Sequence, residues 1–261
     1  MAKRSVIITN AATPIGEACV RRFSVAGDRL VLVDADEAAG RAAVQSLAEQ
    51  NREAVFVAAD PSDKLDVHNI VAEAIEGDAT IDVLIHNHVT YSAKPFSELS
   101  ADDLDAVYQS DVRGAFYMTQ AVMKQMVRAA DDAAAANAPD GAIVMIMADP
   151  RGGVGDVAFA AAQGALQSMV GALAAAGAAF GVRTNGVRLG PVRSDLYDDA
   201  QLKEFCEKSL VGAAGDPADV SELCYFLSSP AAGYITGSII DLNGGGVVLS
   251  KAEKYSSETE A

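Results

Sequence analysis

The sequence predicts an α/β chain built on a parallel sheet with helices on both faces. Two observations carry this. Short β-branched runs alternate with longer helical patterns, which is the βαβ rhythm. No strand run is interrupted by proline, as a sheet interior requires. In order, strands are expected at Ser5–Thr9, Leu30–Val33, Ala54–Ala58, Asp82–Ile85, Ala142–Met147, Arg183–Val187 and Ser238–Leu242, about seven in all. A long amphipathic helix is expected over Ala101–Arg128, with Leu104, Tyr108, Ala115, Met118, Val122 and Met126 on one buried arc. A second is expected over Asp156–Phe180, rich in Ala and Gly. Its small residues suit either close approach to a neighbouring subunit or good helix propensity against the sheet. Ala129–Asp140 is low in complexity and is expected to extend the preceding helix before a loop. With no internal repeat and no linker, residues 1–250 are expected to form a single domain. The polar tail Lys251–Ala261 is expected to be frayed or docked on a partner chain.

The chain has 261 residues, of which 50% are hydrophobic and 21% charged, enough apolar content to bury a sizeable core. Asp and Glu number 36 against 20 Lys and Arg, a net charge of −16. Such a field repels phosphate backbones and anionic lipid, which argues against nucleic-acid and membrane-surface roles. Cys19, Cys206 and Cys224 are widely spaced and form no Cys-x-x-Cys or Cys/His pattern, so neither structural zinc nor a disulfide framework is expected. The chain opens directly into a strand pattern and shows no run of membrane-spanning length, so a soluble, cytoplasmic protein is expected.

Specific motifs cluster in the C-terminal third. Gly215–Val220 (GDPADV), Phe226-Leu-Ser-Ser, Tyr234-Ile-Thr-Gly237 and Asp241-Leu-Asn-Gly-Gly245 closely resemble the end of a short-chain dehydrogenase/reductase (SDR). Val182–Pro191 resembles that family's "hRVNxVxPG", Asp82–Val89 its "DxLVNNAG", and Thr9–Gly16 sits where "TGxxxGxG" belongs. The resemblance runs from Ser5 to about Val248 in the right order and spacing. It implies a doubly wound, Rossmann-like sheet, an oligomer, and NAD(P)-dependent redox chemistry on alcohols and carbonyls. Fold alone does not deliver that chemistry.

The resemblance also locates the family's catalytic positions, and none holds the expected residue. Phe159 stands for the proton-transferring Tyr, Gln163 for the Lys that lowers its pKa, Ala148 for the Ser, and Asp111 for the relay Asn. Phe cannot transfer a proton, and Gln has no charge with which to depress a pKa. The Ala148-to-Phe159 stretch is slightly shorter than the family's, but no other register rescues the site. No Ser occurs between Ser110 and Ser168, no Tyr between Tyr117 and Tyr197, and no Lys between Lys124 and Lys203. Tyr91 and Lys94 offer a relocated pair in the loop after the fourth strand; a surface loop is the plainer reading.

The cofactor motif is altered as well. A pyrophosphate needs glycines that let backbone N–H groups approach it at a helix N-terminus. Asn10 and Pro14 replace the first two glycines, and only Gly16 survives. His86, His88 and Val89 replace Asn, Ala and Gly of the next contact, with packing the plainer role for both histidines. The resemblance leaves Gly16, Asp34, Asp60 and Asn87 as vestigial cofactor positions. Asp34 and Asp60 also precede helices and are candidate caps.

These readings imply a chain without SDR oxidoreductase activity of its own and without bound cofactor. It is expected to be a non-catalytic subunit of a hetero-oligomer, a heterotetramer by family habit, with an active SDR that carries NAD(H). Heteromeric hydroxyacyl-CoA dehydrogenases, such as that of anaerobic toluene (benzylsuccinate) breakdown, are the systems this resembles; an alcohol dehydrogenase partner fits equally. Two alternatives stand beside it: a ligand-binding sensor on the same fold, or a non-redox enzyme using Asp111 or His88 as acid or base.

Overall fold

The computed structural model describes residues 3–87, 89–132, 141–150, 155–194 and 198–246. Seven strands form one sheet: β1 (Ser5–Thr9), β2 (Arg29–Asp34), β3 (Ala54–Ala58), β4 (Val83–His86), β5 (Ala142–Ala148), β6 (Arg183–Leu189) and β7 (Ile239–Leu242). Their order is β3-β2-β1-β4-β5-β6-β7 and every pairing is parallel. This is the doubly wound α/β sheet expected from the sequence. β1 and β3 have the expected bounds; β2, β5 and β6 are longer by one or two residues, β4 is shifted by one, and β7 is one residue shorter. Residues 133–140 and the tail 247–261 lie outside the described residues.

Alternation along each strand makes two cores. Val6, Ile8, Leu30, Leu32, Val144 and Ile146 face α1 (Pro14–Val25) and α8 (Pro217–Leu227), which contribute Cys19, Phe23, Val220 and Leu227. Ile7, Val31, Leu84, Ile143 and Met145 face the other way, onto α3 (Lys64–Ala74), α5 (Gly114–Asp132) and α6 (Val157–Gly177). Apolar residues on both faces are why the strands read as continuous hydrophobic runs. A buried side chain such as Phe23 contributes roughly 1.5–3 kcal/mol. Part of the acidic excess is structural: Asp36, Asp63, Asp156, Asp198 and Asp216 are N-caps, of α2 (Glu37–Glu49), α3, α6, α7 (Asp199–Lys208) and α8 in turn.

Three expectations need correction. The helix expected over Ala101–Arg128 is interrupted: α4 (Ala101–Val107) gives way to a π-turn at Tyr108–Arg113 before α5 begins. The wider turn breaks the 3.6-residue register, so Leu104 and Tyr108 are exposed while Ala115, Met118, Val122 and Met126 are buried. The capping roles fall on Asp36 and Asp63, not on Asp34 and Asp60. Finally, the helical stretch Val157–Phe180 is long and apolar enough to cross a membrane by length and composition. Here Phe159, Leu166 and Val170 on its inner face are buried in the fold.

Strand order reverses direction between β1 and β4, and the crevice beyond their C-terminal ends is where such sheets bind ligands.

Candidate functional site

Two chambers occupy that crevice, both bordered by Asn10 and Thr13. The inner one, of about 120 Å³, is lined by Ile15, Asn87, Val89, Ile146, Ala148 and Leu189 among others. The outer one, of about 570 Å³, lies between Asp34, Asp60, Ser62, Thr90 and Gln109.

The loop from β1 to α1 is tied down by its own side chains. Asn10 adopts the left-handed conformation (φ +47°), which asparagine tolerates in place of glycine. Thr13 caps α1: its Oγ1 accepts the Gly16 N–H at 3.2 Å. Pro14, first in the helix, has no N–H to offer. Asn87 Nδ2 donates to the Asn10 carbonyl at 3.3 Å and to Thr13 Oγ1 at 3.1 Å. Asp34 accepts the Ala12 N–H at 2.9 Å and the Asp36 N–H at 3.0 Å. Gly16 is required by packing, because a Cβ there would lie 2.0 Å from the Asn10 carbonyl oxygen. Asp60 accepts the Ser62 N–H at 2.8 Å on the far wall of the outer chamber. Asp34, Asp60 and Asn87 therefore border the crevice, Asp34 and Asn87 being hydrogen-bonded to the loop, while Gly16 lies in the first turn of α1 behind it.

The positions matched to the catalytic set also converge. The π-turn carries Asp111 inward to complete burial. Its carboxyl accepts the Thr90 N–H at 2.9 Å and Gln163 Nε2–H at 3.0 Å. Gln163 in turn accepts the Ala148 N–H at 2.9 Å through Oε1. One neutral amide thus bridges the end of β5 to the π-turn and uses both ends of its side chain. Burial raises the Asp111 pKa to about 7, against the hydrogen bonds from Thr90, Ser110 and Gln163, which favour the carboxylate. Phe159, one turn before Gln163, is fully buried, and Tyr91 meets its ring edge-on at a centroid distance of 5.6 Å.

The relocated Tyr91/Lys94 pair is engaged separately. Tyr91 packs on Phe159, whereas Lys94 pairs with Asp103. The intervening Ser92 hydroxyl donates to Asp156 at 2.6 Å and pins the loop to the start of α6. His86 is buried at the end of β4, and His88 lies outside the described residues. No cluster of metal-ligating side chains occurs among the described residues. Sequence reasoning missed Thr13 and Thr90; the Thr13-Pro14 pair, a cap followed by an N1 proline, was the available signal for the first.

A parallel sheet in this order, with a capped loop after β1 and side chains from α6 and the π-turn meeting at the end of β5, defines an SDR fold. The chain belongs to that family: the family model described as Enoyl-(Acyl carrier protein) reductase matches residues 11–246. Oxidoreductase UcpA of Salmonella typhimurium is 28% identical, over 93% of this chain and 94% of its own length. Subunit BbsD of the (2S)-[(R)-hydroxy(phenyl)methyl]succinyl-CoA dehydrogenase of Thauera aromatica is 27% identical, over 93% and 96%. Meso-2,3-butanediol dehydrogenase of Serratia marcescens is 30% identical, over 92% and 93%. Among solved structures, 3-ketoacyl-(acyl-carrier-protein) reductase from Brucella melitensis complexed with NADH shares the fold. Its TM-score is 0.84 at 24% identity, covering 94% of this chain and 98% of that one.

Proposed function

We propose that this chain is a non-catalytic SDR-fold subunit that assembles in the cytoplasm with an active NAD-dependent SDR. One observation carries the reading: Gln163 spans from Ala148 N–H to Asp111 as a neutral bridge that uses both its oxygen and its nitrogen, with Phe159 buried one turn before it. A hydride-transfer site needs a proton donor and a cation near it, and a positioned acid–base group typically supplies roughly 10²–10⁴-fold. Gln163 and Phe159 supply neither.

The crevice also fits a dinucleotide poorly. Pro14 withholds a donor, Thr13 takes up the Gly16 N–H, and Asn87 ties down the loop through the Asn10 carbonyl and Thr13. NAD(H) is therefore assigned to the partner. That partner is a hydroxyacyl-CoA or alcohol dehydrogenase; the relative BbsD is itself a named subunit of a CoA-ester dehydrogenase. The outward faces of α5 and α6 favour association. α6 carries no charge from Val157 to Gly177, and half-exposed Phe116 with Met123 and Leu173 lines a groove of about 600 Å³. A heterotetramer built through these helices needs neither nucleic acid nor membrane.

The test is to purify the tagged chain gently from its host and weigh the assembly by native mass spectrometry. An equimolar second chain with intact Tyr-x-x-x-Lys and glycine motifs is expected. Recovery of this chain alone, or NAD⁺-dependent turnover by it alone, overturns the proposal. One observation favours a second reading, non-redox acid–base catalysis: the buried Asp111 carboxyl with its pKa near neutrality. Turnover of a substrate without cofactor, lost in Asp111→Asn, would establish it instead.

A further inference from the structure

We infer that the groove between α3 and α5 is a docking surface for an acidic helix of a partner subunit, and that its positive charge keeps two copies of this chain from pairing there. The inference rests on the subunit reading and adds the chemistry by which the partner is recognised.

Positive charge is scarce in a chain with a net charge of −16, and here it is gathered. From Gly114 to Ala130, α5 carries Lys124 and Arg128 and no Asp or Glu. Lys64 and His68 of α3 line the same groove as Tyr117, Gln120 and Lys124 of α5. Lys124 and Arg128 also border the apolar groove of Phe116, Met123 and Leu173. Among the described residues, no carboxylate lines either groove. Asp63 and Asp66, at the start of α3, spend their carboxyls on backbone N–H groups.

The cations of this face are also unspent. Other exposed cations are paired within the fold: Lys3 with Glu53, Arg21 with Glu17, Arg41 with Glu37 and Arg193 with Asp216. Among the described residues, Lys64, Lys124 and Arg128 make no ion pair and no side-chain hydrogen bond. The α3–α5 groove holds about 220 Å³ over the buried Val67 and Val71, below the roughly 300–1,000 Å³ of small-molecule sites. It has room for single side chains, which suits the face of a helix better than a free ligand. A helix with an apolar stripe flanked by carboxylates answers Phe116 and Met123 together with Lys64, Lys124 and Arg128.

The same charges disfavour a homodimer on this face. A twofold contact must be self-complementary, because each patch meets its own copy. Every charge on this patch is positive, so two copies bring only like charges together.

The test uses the chain as its own probe. A copy carrying Lys64→Glu, Lys124→Glu and Arg128→Glu presents an acidic α5 with its apolar residues kept; all three side chains are exposed, so the fold is kept too. This variant, the unmodified chain and their equimolar mixture are compared by sedimentation velocity at about 50 mM and about 500 mM NaCl. At low salt the mixture is expected to associate roughly tenfold more tightly than either chain alone, the scale of several exposed ion pairs, and to lose that advantage at high salt. Net charge alone predicts weaker association of the mixture than of the unmodified chain, since the reversal makes the variant more acidic. Arg21→Glu with Arg41→Glu, on α1 and α2, is the control and is expected to give no gain. A mixture no tighter than its components overturns the inference and leaves the subunit proposal standing, because that proposal needs a partner but not this face. Equal gain from the control pair overturns it as well. The subunit proposal fails separately, when gentle purification from the host returns this chain alone.

Discussion

Replacing Asp111 by Asn removes the charge that burial disfavours while keeping the shape of the side chain. An unfolded Asp titrates at about 3.9, and in the folded chain burial raises this one to about 7. The folded state therefore holds its proton more tightly than the unfolded state. Its contribution to stability is fully present below about pH 4 and is lost as pH rises to about 7. A difference of roughly 3 units at 1.36 kcal/mol each gives about 4 kcal/mol lost across that window. Asn does not titrate, so the variant lacks this loss. It has a cost of its own, because Asp111 accepts from both Thr90 N–H and Gln163 Nε2–H. An amide satisfies only one of them and sets its own NH₂ against a donor, at about 1–3 kcal/mol. The two stability curves must therefore cross: wild type is more stable near pH 4.5, the variant near pH 8.5. Urea unfolding at half-unit pH steps, with m held common, measures both curves. Parallel curves would refute the argument, since they would mean that Asp111 is solvated enough to titrate normally.

Three further outcomes are expected. The double variant Phe159→Tyr, Gln163→Lys is expected to give no NAD⁺ reduction, because the loop around Pro14 and Thr13 is unchanged; growth of NADH absorbance above a no-enzyme control would contradict that account. Phe159→Ala empties a fully buried site and is expected to cost about 3–5 kcal/mol, read as a fall in the urea midpoint. Gly16→Ala drives a Cβ to 2.0 Å from the Asn10 carbonyl and is expected to cost at least the roughly 1–3 kcal/mol of overpacking. A thermal melt unchanged by that substitution would return Gly16 to the list of cofactor relics.

The sheet was legible because its signal is repetitive: seven apolar runs, each bounded by turns, survive an error of two residues at any end. The π-turn was not legible, since Gln109-Ser-Asp-Val-Arg-Gly114 continues a helical pattern without Gly or Pro until its last residue. The widened turn places Asp111 where it accepts from Thr90 and Gln163, contacts distant in sequence that a local pattern does not report. The identity of the changed site residues was equally plain in the sequence, but their relation was not. Read singly, Gln163 is a Lys replaced by something inert and Asp111 an Asn that gained a charge. Together they exchange places: the amide now stands on α6 and the charged group, a carboxyl where the family has an ammonium, on the π-turn, and a hydrogen bond joins them. Gln163→Lys alone would test whether that exchange is structural. It would put a cation beside Asp111 and hold the carboxyl ionised, abolishing the fall in stability between pH 4 and 7. It would also strip the Ala148 N–H of its acceptor, at about 1–3 kcal/mol independent of pH. A flat but lowered stability profile is the expected signature, and a profile that keeps the wild-type slope would show that Asp111 and Gln163 do not act as a pair.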